Sequence, residues 1–294
     1  VNNLLIITQQ MTEVGFLALG MTFVILTAGI DLSAGATVGL ISVVLGFCLS
    51  RHVPIPLSIA AALATAVCCG ALNGFLVARL KITPILVTLG TMTFFNGIAL
   101  AVSKGRAFSG FSEAFYVIGQ GKIGPVPVQS VLFVLVALAV WLILNFTPWG
   151  RSVYAIGSSI KTAEFSGIPT ARVLMTVYIA MALLAALTAI VMTSRVATAR
   201  ADMGSLYLMQ CISAVVLGGI GLTGGKGKVT GTILGVCIFA VLANGLNLSS
   251  VTPFVKDIIQ GALLIFVLLM QTIFGLRLKF GLAKWFGVLL RKDR

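Results

Sequence analysis

The chain has 294 residues, of which 59% are apolar and 9% charged, where a soluble domain carries about 25% charge. Its net charge of +13 is too scattered for nucleic-acid binding and is expected in loops at one face of a bilayer. With His52 as the single histidine and five cysteines (Cys48, Cys68, Cys69, Cys211, Cys237) inside apolar runs, histidine-based metal sites, Ser/His/Asp triads and CxxC centres are excluded, and no metal or cofactor is expected.

The chain opens on polar Val1-Asn2-Asn3, with no cleavable signal-peptide pattern. A helix crossing the hydrocarbon core takes about 20 apolar residues. Nine spans follow in chain order, at 14–30, 32–50, 57–78, 85–102, 130–147, 173–193, 208–221, 230–248 and 258–275, the seventh short and glycine-rich, as in a broken helix. The fold class is an all-α polytopic membrane helix bundle. Asp31 is the only charge between Val14 and Ser50, and a charge at mid-bilayer costs roughly 2.5 to 3.5 kcal/mol. It is read either as a helix cap, with Ser33, or as a contact for a solute.

Between the fourth and fifth spans, 103–129 carries Gly105, Gly110, Gly119, Gly121, Gly124, Pro125 and Pro127, which predicts a loop. The other long connection is 148–172. Within it, 159–166 lacks Gly and Pro, and Gly167-Ile168-Pro169 is a stop signal, which predicts a short helix outside the membrane. The glycine run from Gly218 to Lys228 fails the P-loop pattern, because no Ser or Thr follows the lysines, so any nucleotide-driven engine is another polypeptide. The run reads instead as a tight turn. The end of the chain, 277–294, mixes Trp285 and Phe286 with six basic residues and predicts a cytoplasmic tail on anionic headgroups.

With the C-terminus inside, thirteen basic residues fall in inner segments and seven in outer ones, as the positive-inside rule requires. The two halves echo each other. Asp31, Val43, Asn73 and Thr83 have counterparts Asp202, Val215, Asn244 and Thr252 at offsets of 171, 172, 171 and 169. An offset spanning five helices inverts the second copy, the plan of many transporters, and gives repeats at roughly 14–147 and 173–276 within a transmembrane unit over 1–276. Asp31, Asp202 and Asp257 fall at span ends in this topology, leaving little to couple transport to an ion gradient. Asn73, Thr91, Asn96 and Asn244, with Thr88, are neutral polar groups in or beside spans. They suit either a path for an uncharged polyhydroxylated solute or hydrogen bonds between helices.

Several motifs in order, Gly29-Ile30-Asp31-Leu32-Ser33, Thr88-Leu89-Gly90-Thr91-Met92, Tyr154-Ala155-Ile156-Gly157, Ser166-Gly167-Ile168, Ala214-Val215-Val216-Leu217-Gly218-Gly219 and Asn244-Gly245-Leu246-Asn247-Leu248, resemble the permease subunits of bacterial ABC sugar importers of the ribose, xylose and autoinducer-2 type. The resemblance runs from Asn2 to about residue 275. It implies an inner-membrane permease paired with a second permease subunit, fed by a periplasmic solute-binding protein and driven by a cytoplasmic ATP-binding subunit. It also implies a coupling helix within 150–168, with Gly150, Arg151, Ala163, Glu164 and Gly167 at the ATPase contact. Family members begin with one more helix, ten in all, so a truncated or misannotated start is expected. Residues 158–162 lack the usual Asn and acidic residues, and Gln210 stands where an acid is common. Against this passive translocation subunit stands a self-contained carrier or channel coupled to an ion gradient.

Overall fold

A computed structural model describes residues 2–248, 252, 254–255 and 258–270. The tail 277–294, Asp257 and the end of the ninth span lie outside the described residues. The first helix, α1 (Asn2–Leu26), begins well before the expected residue 14 and ends short of 30. Two polar groups in its first half find partners, Thr12 Oγ1 donating to the Thr8 carbonyl at 2.8 Å and Glu13 meeting Arg195. Next come α2 (Ala34–Ser50), α3 (Ile55–Ala78) and α4 (Pro84–Ser103), the last starting on a proline at its first turn, where the missing N–H costs nothing.

The expected loop at 103–129 is partly ordered. It holds strand β1 (Phe108–Ser109), helix α5 (Glu113–Gln120) and a hairpin of β2 (Lys122–Ile123) with β3 (Val126–Pro127). The order comes from a distant partner: Ser194 Oγ accepts from the Gly119 N–H at 2.8 Å and donates to the Phe115 carbonyl at 2.7 Å, fastening α5 across the end of α9. After α6 (Val128–Phe146), the 148–172 connection holds two helices rather than one, α7 (Pro148–Ser158) and α8 (Ile160–Phe165). Each is capped by a side chain, Thr147 accepting from the Gly150 N–H at 3.1 Å and Ser159 from the Thr162 N–H at 3.2 Å. Then follow α9 (Thr170–Val196), β4 (Thr198–Ala199), α10 (Ser205–Leu217), α11 (Val229–Leu248) and a last described helix, α12 (Ile258–Met270).

Six of the described helices are long and apolar enough to cross a membrane; α2, α10 and α12 are shorter. Burial sorts the six into two layers. The apolar window of α1 is 83% buried and that of α9 67%, whereas α3, α4 and α6 are each 28% buried and turn Leu86, Phe94, Val134 and other large apolar groups outward. Such a face suits lipid as its solvent. The core is therefore the α1/α9 pair, with α2, α3, α5, α10 and α11 packed around it.

Two stretches share a plan. After α1, Ala28 adopts a left-handed φ of 61°, residues 27–33 run without helix, and α2 begins; after α9, Ala197 adopts φ 56°, residues 197–204 break the helix, and α10 begins. The two breaks meet inside the bundle. A Cβ on Gly35 would lie 2.7 Å from the Gly204 carbonyl oxygen, and one on Gly204 would run into the Gly35 carbonyl in return. β4 also pairs antiparallel with β1, Phe108 opposite Ala199, which ties the second break to the α4–α5 connection.

Candidate functional site

The first break carries the buried carboxylate. Asp31 is 4% exposed, and its Oδ1 accepts from the Ser33 N–H at 2.9 Å and the Ser33 hydroxyl at 2.6 Å. Ser33 is the N-cap residue of α2 and makes no side-chain hydrogen bond to the helix amides; Asp31 instead closes the turn that precedes the helix. The Asn73 amide in turn donates to Ser33 Oγ at 2.8 Å, about a turn and a half inside the end of α3. Thr88 of α4 donates to the Ile30 carbonyl at 3.2 Å. Asp31 thus lies between the end of α1 and the start of α2, at a helix end as the linear reading placed it, but buried in the bundle, with Ser33 tied to α3 and Ile30 to α4. A linear reading has no measure of how far a break re-enters the protein.

Of the other expected path residues, Thr91 is buried one turn along α4 from Thr88, while Asn96 is half-buried on the same helix. Asn244 is buried on α11. The structure brings Asp31 and Asn73 into one network, with Thr91 reaching its edge by donating to the Thr88 carbonyl at 3.4 Å, while Asn96 and Asn244 stand on other stretches of α4 and α11.

Below the break, the α7–α8 pair is clamped to the end of α1. A Cβ at Gly157 would strike the Leu26 carbonyl, so only glycine lets α7 approach this closely. The same carbonyl accepts from the Gly225 N–H at 2.9 Å, and Tyr154 donates to the Gly227 carbonyl at 3.1 Å. Burial pushes the Tyr154 phenol up from its ordinary pKa, keeping it a donor. The turn at 218–228 is therefore a wedge between α1 and α7, with Gly224 and Gly225 at φ 78° and 69°. On α7, Trp149 donates to Thr176 Oγ1 at 2.8 Å and packs edge-on to Phe23. A cavity of about 710 Å³ opens at this end of the bundle between the break, the α3–α4 link and α8, and reaches from Lys161 and Lys81 up to Gly29 and Tyr178.

The coupling residues expected here divide by exposure. Ala163 is 2% exposed, its side chain packed into the protein's own core. Gly150 is also buried, and a Cβ there would meet the Leu144 carbonyl. Arg151, Glu164 and Gly167 are exposed, Gly167 at φ 78° ending α8 and Glu164 accepting from the Thr170 hydroxyl at 3.2 Å. Phe165, which the linear reading passed over, is 92% exposed. An aromatic ring on a short helix away from the lipid-facing helices was the available signal.

Glu13 was missed as well. Its side chain is fully buried, ion-paired with Arg195 and hydrogen-bonded by the Tyr207 hydroxyl at 2.7 Å. It stands one residue before the expected first span, and its partners lie 182 and 194 residues away, so nothing local marked it.

The family described as "Branched-chain amino acid transport system / permease component" matches residues 3–268. The chain belongs to this family. The permease is 39% identical over 271 residues to the ribose import permease protein RbsC of Bacillus subtilis, covering 92% of this chain and 84% of that one. It is 37% identical over 279 residues to the autoinducer 2 import system permease protein LsrD of Escherichia coli K12, with the same coverage. No solved structure matches the chain. Family membership and the apolar helices make the permease a multi-pass protein of the inner membrane and a transport component rather than an enzyme.

Proposed function

We propose that the permease is the translocation subunit of an ATP-driven importer for a small neutral sugar or sugar-like signal. ATP hydrolysis belongs to a separate cytoplasmic subunit, and solute is delivered on the opposite side by a solute-binding protein. The observation that carries this reading is the α7–α8 platform: a short capped helix with an exposed Phe165, clamped by backbone contact to the end of α1. Phe165, Glu164, Gly167 and Arg151 form the docking face for the ATPase, and Ala163 and Gly150 are the small residues that seat it. Movement of α8 reaches Leu26 through Gly157 and Gly225, and then the left-handed Ala28 that leads into the Asp31 break. Asp31, Asn73, Thr91, Asn96 and Asn244 flank the path.

A second permease subunit packs on the outward faces of α4 and α12. There Gly90, Gly97 and Gly261 are open, with nothing within 4 Å of an added Cβ, and small residues let helices approach in lipid. Gly90 and Gly261 stand in the 171-residue register of the two halves, which supports an inverted repeat over 14–147 and 173–276 with 148–172 between.

The test is purification of the tagged permease from its native membranes, followed by uptake in proteoliposomes. An ATP-binding subunit is expected to co-purify and uptake of a neutral sugar to require ATP. Phe165→Asp should lose both while leaving the permease in the membrane. Uptake that follows an ion gradient with no ATPase present would replace this reading by a secondary carrier.

A further inference from the structure

At the end of the bundle opposite α8 lies a second cavity, of about 230 Å³, enclosed by α1, α10, α11 and α12. Arg195 is one residue before the end of α9 and Asn247 one before the end of α11, so this cavity opens toward the side from which solute arrives in the proposed importer. Its lining is unusual for a membrane bundle. Besides Arg195 and Tyr207, it presents the amides of Gln10, Gln210, Asn247 and Gln260. Buried amides in lipid are costly unless they have partners. Gln210 donates to Gln260 at 3.3 Å, a long bond, and Gln10 Oε1 is buried with no hydrogen-bond partner among the described residues.

The charge in the cavity wall is already balanced. Glu13 takes Nε and Nη2 of Arg195 and a hydrogen bond from Tyr207, so the site holds no net charge to attract an anion. Arg195 Nη1 remains uncommitted to Glu13, and a guanidinium edge beside carboxamides offers paired donors and acceptors at the spacing of neighbouring hydroxyls. A volume of about 230 Å³ gives room for a solute the size of a single sugar ring.

We infer that this cavity is an entry subsite for a single neutral polyhydroxylated ring, held by Arg195 and the carboxamides of Gln10, Gln210 and Gln260 before it passes inward. The inference rests on the importer reading for the identity of its cargo. It assigns to Glu13 the positioning of Arg195 and to the Glu13–Arg195 pair the exclusion of charged solutes.

The experiment places an Ala243→Cys reporter, on the cavity wall but outside the proposed holding residues, in a chain whose five native cysteines are replaced by alanine, assembled as the full transporter in nanodiscs. The rate of maleimide labelling is measured with D-ribose, D-xylose, D-glucose, maltose and ribose 5-phosphate as probes. At least one neutral monosaccharide is expected to slow labelling about threefold, the effect of two-thirds occupancy. Maltose and ribose 5-phosphate should have no effect, and Gln260→Leu should abolish protection, measured against that variant's own sugar-free rate. The inference is overturned if no monosaccharide protects, if ribose 5-phosphate protects equally, or if protection survives Gln260→Leu. ATP-dependent uptake in the same preparation separates the two readings. Uptake without protection sinks the subsite alone, and protection with ATP-independent uptake sinks the importer and keeps the subsite.

Discussion

The two breaks are built alike and used differently. Each follows a long central helix, turns on an alanine with positive φ, carries an aspartate in the same register and leads into a shorter helix. In the first, Asp31 is buried and netted by Ser33, with Asn73 holding Ser33 in turn. In the second, Asp202 is exposed and paired with Arg200 at the surface. The same backbone device therefore serves as a locked joint in the first break and as an open rim in the second. What distinguishes them is whether a neighbouring helix supplies a polar partner: α3 offers Asn73 to the first break, and the second finds its partner two residues away.

The strongest way to break this comparison is at the point where the breaks touch. Gly35→Val and Gly204→Val each put a side chain into the partner's carbonyl. Each should cost about 3 kcal/mol or more, since overpacking against backbone cannot relax. Loss of a monodisperse peak in detergent for both variants is the expected outcome; if only one suffers, the reciprocal contact does not hold the breaks together. Next in size, Asp31→Ala leaves the two Ser33 donors without their acceptor and should cost about 2 kcal/mol. The thermal midpoint should fall, and Asp31→Asn should restore most of it, because the amide oxygen still accepts. The smallest effect belongs to Asp202→Ala, whose ion pair is exposed on both sides. Its midpoint should match that of the parent, and a fall as large as that of Asp31→Ala would erase the distinction between joint and rim.

The parts of the fold that local chemistry governs were legible without coordinates. Ser159 ahead of a run free of Gly and Pro, closed by Gly167-Ile168-Pro169, marks α8 on its own, and apolar runs mark the helices that face lipid. The halves' echo was equally visible in Asp31 and Asp202. What was hidden depends on partners far along the chain. Helix α5 lies in a glycine-marked segment and owes its place to Ser194, 75 and 79 residues on. Glu13 looks like a residue outside the membrane until Arg195 and Tyr207 close on it. The burial of Asp31 goes with Asn73, and Ala163 is buried because α8 folds back on α7 and touches α9 rather than standing free. Spacing reports which residues share a helix, but it does not report which face another helix will cover.

The wedge formed by Gly225 and Gly227 also sets a timetable for biogenesis. The platform of α7 and α8 is complete only when the Gly225 N–H reaches Leu26 and the Gly227 carbonyl receives Tyr154, roughly seventy residues after α7 itself has left the ribosome. A nascent chain halted before that turn lacks the clamp that seats the platform, so any partner that recognised the seated form would meet only chains made at least through α10. Placing the clasp after α10 makes the seating of an early-made platform depend on chain synthesised long after it.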